Sequence, residues 1–152
     1  MEFGSIEREI LVEASPEIVF EVVTNPEHLK EWWPDEAEIT PVSGADGHIV
    51  FNQEPPAEPM VVQIRVVDAR PPRHFSFRWA YDEGVVPDPS NSLLVAFDLE
   101  PVGTGTRLRM TETGFRERGW DAVVVESAYR EHAEGWDYFI PRLGAYVARL
   151  VS

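Results

Sequence analysis

The last thirty residues carry the pattern that most restricts the fold. From about 121 to 150, Val125, Tyr129, His132, Trp136, Phe139, Ile140, Leu143, Val147 and Leu150 recur at intervals of three or four. That spacing predicts one amphipathic helix. At 1.5 Å per residue it is a rod of roughly 45 Å. Pro141 lies inside it, removes one backbone donor and is expected to kink it there. A rod with a single apolar stripe needs an equally long apolar surface to lie on.

The preceding chain supplies one as strands. Residues 6 to 14 alternate at Ile6, Arg8, Ile10, Val12 and Ala14, the period of a strand with one buried face. Further strands are predicted at 36–42, 47–53, 59–69, 73–81, 92–100 and 105–113. The breaks "SGADG", "EPPAEP", "ARPPR", "VPDPSN" and "VGTG" carry turn chemistry. Phe75, Phe77 and Trp79 share one face, as do Leu93, Val95, Phe97 and Leu99, and as do Leu108, Met110 and Glu112. A mostly antiparallel sheet of six or seven strands, buried on one side, follows.

Between the first strand and the rest, "SPEIVFEVVTNPEHLKEWW" reads as two short helices. Ser15 caps the first, with Pro16 in its opening turn; Pro26 opens the second and Pro34 ends it. Helical neighbours point about 100° apart, so Trp32 and Trp33 are expected to diverge. Trp32 should face the core and Trp33 the rim of any cavity. The whole is an α+β chain in which a curved sheet grips a long helix. A curved sheet and a straight rod do not touch everywhere, and the gap between them is the natural place for a ligand.

Composition narrows the function. The chain has 152 residues, 27 acids against 13 bases, and a formal charge of −14, which repels nucleic acid and anionic lipid. It has no cysteine, and His28, His48, His74 and His132 show no metal-ligand spacing, so neither metal nor cofactor is expected. No apolar run is long enough to span a membrane and no signal peptide is visible, so a cytoplasmic protein is expected. Residues 1–5, "MEFGS", resemble a cloning scar, leaving 6–152 as one domain. Nucleophile elbows, phosphate loops and dinucleotide fingerprints are absent.

The order of elements, with the words "ASPEIVFEVVTNPEHLKEWW", "VVDARPPRHFSFRW", "GTRLRMTETGF" and "GW" in the last helix, resembles the helix-grip superfamily called START-like or SRPBCC. Within it the chain is similar to the activator of heat-shock protein 90 ATPase homologue family. The resemblance runs from Ile6 onward. It departs at "GADGHIVFNQ", where a paired-glycine turn before an aromatic strand is commoner. It implies a β–α–α–β6–α fold with a cavity between sheet and last helix. Relatives include ligand carriers, lipid-transfer domains and polyketide cyclases, without shared catalytic residues.

The residues give candidates. Trp33, Phe51, Met60, Trp79, Phe97, Met110, Phe115, Tyr129 and Trp136 are large apolar groups on inward faces and would wall such a cavity, or else fill it as core. Entry is expected between the long helix and the loops near Trp33 and Phe115. Glu112 is a carboxylate on an inward face. It either serves as an acid, base or anchor, or pairs with an arginine such as Arg78 or Arg130. His132 and Tyr129 share the helix stripe and are its candidate partners in proton transfer. Three functions follow: binding of a small hydrophobic or aromatic molecule, a cyclase-, dehydratase- or hydrolase-like reaction in the same cavity, or a chaperone-activator-like protein interaction. Edge strands and the long helix offer surfaces for a homodimer.

Overall fold

A computed structural model describes residues 4–51, 58–80, 87–89, 91–115 and 120–151. The expected strand ends at 52–53 and 81, and most of the "EPPAEP" turn, lie outside the described residues. Strand β1 (Ser5–Val12) leads into helices α1 (Pro16–Thr24) and α2 (Pro26–Trp32). Strands β2 (Glu36–Glu38), β3 (Asp46–Phe51), β4 (Met60–Arg70), β5 (His74–Ala80), β6 (Leu93–Val102) and β7 (Gly105–Thr113) follow, and helix α3 (Ala122–Leu150) closes the chain. The seven strands form one curved sheet in the order β1-β7-β6-β5-β4-β3-β2, every neighbour antiparallel. This is the helix-grip arrangement that the sequence predicts.

Local chemistry sets the boundaries. The Ser15 side chain accepts the Ile18 N–H at 3.3 Å and starts α1. Asn25 ends α1 and starts α2 at once. Its N–H donates to the Glu21 carbonyl at 2.9 Å, and its side-chain oxygen accepts the Glu27 N–H at 3.0 Å. Strand β2 is shorter than predicted, three residues instead of seven. Pro41 has no N–H to give a ladder, and the Val42 N–H turns back to the Thr40 carbonyl at 2.8 Å, so the chain leaves the sheet here.

The core lies on the concave face. Ile64, Phe77, Phe97 and Leu108, each at most 1% exposed, come from four adjacent strands. From α3 the buried stripe is Trp136, Ile140, Leu143 and Val147. The first half of α3 is only half-buried at Val125, Tyr129 and His132, and Leu150 at its end is exposed. The helix runs through Pro141 as one element. It lies close against β1 and α2, toward one side of the sheet. That off-centre seat positions the site.

Candidate functional site

Glu112 is the one carboxylate with no exposed surface among the described residues. Strand parity turns it inward, as the sequence implies, toward the first half of α3. Its partners are not arginines. The Trp79 indole donates to one carboxylate oxygen at 2.8 Å, and the Trp136 indole donates to the other at 2.8 Å. His132 Nδ1 lies 2.8 and 3.0 Å from the two oxygens. A carboxylate only accepts, so the Nδ1 proton is the donor here. Arg130 instead pairs with Glu126 at 3.0 Å, and Arg78 lies on the alternate, outward face of β5. Three N–H donors thus satisfy one buried carboxylate, and no buried side-chain nitrogen or oxygen among the described residues lacks a partner.

This cluster fixes two indoles in a cleft of about 230 Å³. Trp33, Phe51, Met60, Trp79, Glu131, His132, Gly135, Trp136 and Phe139 line it. Trp33, Trp79 and Trp136 form one aromatic surface. Ring centroids are 5.4 Å apart for Trp33 and Trp79, 5.5 Å for Trp33 and Trp136, and 6.1 Å for Trp79 and Trp136. Phe51 extends it at 6.1 Å from Trp33, and Phe139 at 6.0 Å from Phe51. Gly135 keeps it open, because a Cβ built there would meet nothing within 4 Å.

The adjacent tryptophans do not diverge as expected. They stack, with centroids 5.7 Å apart and planes 18° from parallel. The helix ends at Trp32, and Trp33 takes φ −126° and ψ −95°, so the 100° rule of a helix does not reach it. Trp32 is fully buried and donates its indole N–H to the Val22 carbonyl at 3.0 Å. Trp33 is 5% exposed and reaches the cleft.

Of the other residues singled out from sequence, Phe51, Met60, Trp79, Trp136 and His132 meet at the cleft with Trp33. Phe97, Met110 and Phe115, all 0% exposed, are buried in the core; Phe97 packs against Trp136 at 6.3 Å and Phe115 against His132 at 5.5 Å, both residues of the cleft wall. Tyr129 packs edge-on against Phe115 at 5.6 Å. Sequence reasoning passed over Glu131, Gly135 and Phe139. A glycine inside an amphipathic helical stripe was the available signal. Among the described residues no group of side chains could hold a metal ion, and no helix is long and apolar enough to cross a membrane.

A larger groove, about 550 Å³, lies on the outer face of the sheet among Arg70, Arg73, His74, Asp98, Glu100, Arg107 and Arg109. Most of its cations already face carboxylates. Arg107 meets Glu9 at 3.1 Å and Glu100 at 3.4 Å, Arg70 meets Asp68 at 2.8 Å, and His74 meets Asp98 at 2.7 Å. These pairs are water-exposed, and the groove lacks an aromatic wall. The concave cleft is the better site.

Comparison with known proteins gives a family. The model of Activator of Hsp90 ATPase homolog 1-like protein matches residues 13–148. The chain belongs to this family. No curated protein matches it. Among solved structures, protein MLL2253 from Mesorhizobium loti is 24% identical with a TM-score of 0.74, over 95% of this chain and 97% of that one. The Aha1 dimer from Colwellia psychrerythraea is 22% identical with a TM-score of 0.68, over 94% and 95%. DynU16, a protein of the dynemicin biosynthetic locus, is 22% identical with a TM-score of 0.74, over 95% of this chain but only 47% of its own. At these identities the likeness is one of fold.

Proposed function

We propose that this family member binds a small hydrophobic or aromatic molecule in the cleft between the sheet and α3. The observation that carries the reading is the wall of three indoles, two of them held in place by Glu112. A surface whose side chains are fixed before the ligand arrives loses little entropy on binding. The volume suits one or two rings. Burying roughly 200 Å² of apolar ligand surface gains about 5 kcal/mol before association costs. Glu131 at the wall, in a chain of charge −14, disfavours anionic ligands such as fatty acids.

Gly135→Leu tests this. The new side chain enters open space, so the fold is retained, and helix propensity improves by up to ~1 kcal/mol. The cleft is filled. Small aromatic ligands should raise the melting temperature and change the tryptophan emission of the native chain and do neither in the variant. Ligands that act equally on both would place binding elsewhere. Mass spectrometry of denatured protein would detect a co-purified molecule.

A second reading is favoured by the Glu112–His132 contact. A carboxylate that takes the Nδ1 proton orients the other edge of an imidazole for acid–base work, and His132 is on the cleft wall. The reaction would be of cyclase, dehydratase or hydrolase type on an aromatic, polyketide-like substrate, in keeping with the fold shared with DynU16. Here His132→Gln should abolish turnover and spare ligand affinity. Tyr129, one helical turn before His132, is the further candidate in proton transfer. Residence in the cytoplasm and pairing of two copies, as in the Colwellia relative, complete the proposal; a chaperone-activator role ranks behind both readings.

A further inference from the structure

Resting on the binding reading, the structure points to what the ligand must carry. Four of the five tryptophans are buried in the described core, Trp32, Trp33, Trp79 and Trp136. Three of them spend their indole N–H on protein oxygens: Trp32 on the Val22 carbonyl, Trp79 and Trp136 on Glu112. Trp33 is 95% buried, yet its indole N–H has no acceptor among the described residues. A donor on an otherwise apolar wall is free to take a ligand acceptor in place of water. Since no sealed polar atom is left unpaired, this N–H retains a path to the cleft or to solvent.

We infer that Trp33 is a specificity-determining donor, so that the cleft selects an uncharged aromatic molecule bearing an acceptor oxygen, such as an aryl ketone. The other two indoles of the wall contribute faces only, because Glu112 occupies their donors. Carboxylate acceptors are disfavoured by Glu131, which has no ion-pair partner among the described residues. A neutral carbonyl fits both conditions.

The test is a cycle with two probes of one shape, acetophenone and α-methylstyrene, which differ in C=O against C=CH₂. Their affinities are measured by calorimetry for the native chain and for Trp33→Phe. The hydrocarbon's greater hydrophobicity cancels in the ratio. The ketone-to-hydrocarbon affinity ratio should fall about fivefold in the variant, the worth of one neutral hydrogen bond. An unchanged ratio overturns the inference and leaves hydrophobic binding intact. Failure of both probes to bind the native chain overturns both. Should the variant not fold, the native chain decides. In nitrogen-15 spectra, acetophenone should move the Trp33 indole N–H downfield and α-methylstyrene should not. Equal shifts would refute the assignment.

Discussion

Glu112 supports the cleft by what it accepts. Glu112→Gln turns one acceptor oxygen into a donor that faces an indole or imidazole N–H. That leaves buried donors unpaired, at a cost of about 2–4 kcal/mol. Urea unfolding should show the loss, and ligand affinity should fall with it, because Trp79 and Trp136 are released together. This variant therefore does not isolate catalysis; His132→Gln does. Strand parity made the inward position of Glu112 legible. His132 was legible too, from the shared helix stripe; the two indole partners were not, because they sit 33 and 24 residues away and the expected partner of a buried carboxylate is an arginine. A second residue sets a pH limit. Tyr146 on α3 shares a 2.6 Å hydrogen bond with His28 on α2. Burial, helped by Glu31 and opposed by Arg149, raises the Tyr146 phenol above its ordinary value. Folding thus favours the protonated phenol. Its contribution is whole below about pH 10 and disappears as pH rises through the folded value. Tyr146→Phe should flatten that alkaline limb when stability is measured by denaturant from about pH 9 upward.

The elements were read well where pattern alone decides them. The three-and-four spacing fixed α3 to within a residue, and turn residues divided the strands. Boundaries that depend on one backbone geometry escaped. Strand β2 stops at Glu38, and α2 ends one residue before Trp33 leaves helical dihedrals. The off-centre seat of α3 was also not legible, since a stripe shows which side of a helix is buried and not which strands bury it. Gly105 marks a tight junction. A Cβ there would collide with the Val12 carbonyl where β7 pairs with β1. Gly105→Ala should open the end of that ladder and destabilise by several kcal/mol, on the order of other overpacking changes. Calorimetric melting measures it. Pro141→Ala restores one helical hydrogen bond inside α3 and should stabilise the protein, by at most about 3 kcal/mol.

At the scale of the molecule, charge opposes compactness. The formal charge of −14 makes the folded state repel itself. Surface ion pairs such as Arg8 with Asp137 at 2.6 Å and Arg65 with Asp46 at 2.9 Å offset little, each about 0–1 kcal/mol. Added sodium chloride weakens both effects, and the excess of acids decides the sign. The melting temperature at neutral pH should rise by a few degrees between low and moderate ionic strength. A fall would mean that the exposed pairs matter more than the net field. The family and its architecture were visible at this scale because the order of elements spans the chain. The small volume of the cleft was not, because it depends on how five aromatic rings settle against one another.

Those rings have an optical consequence. Chromophores this close share their excited states, and the pairs Trp33–Trp79 and Trp79–Trp136, tilted by 50° and 39°, are chiral dimers. They should give the folded chain an exciton couplet in circular dichroism. Its amplitude depends on the mutual angle of the transition dipoles, so a guest that turns Trp33 by even a modest angle would announce itself without any label.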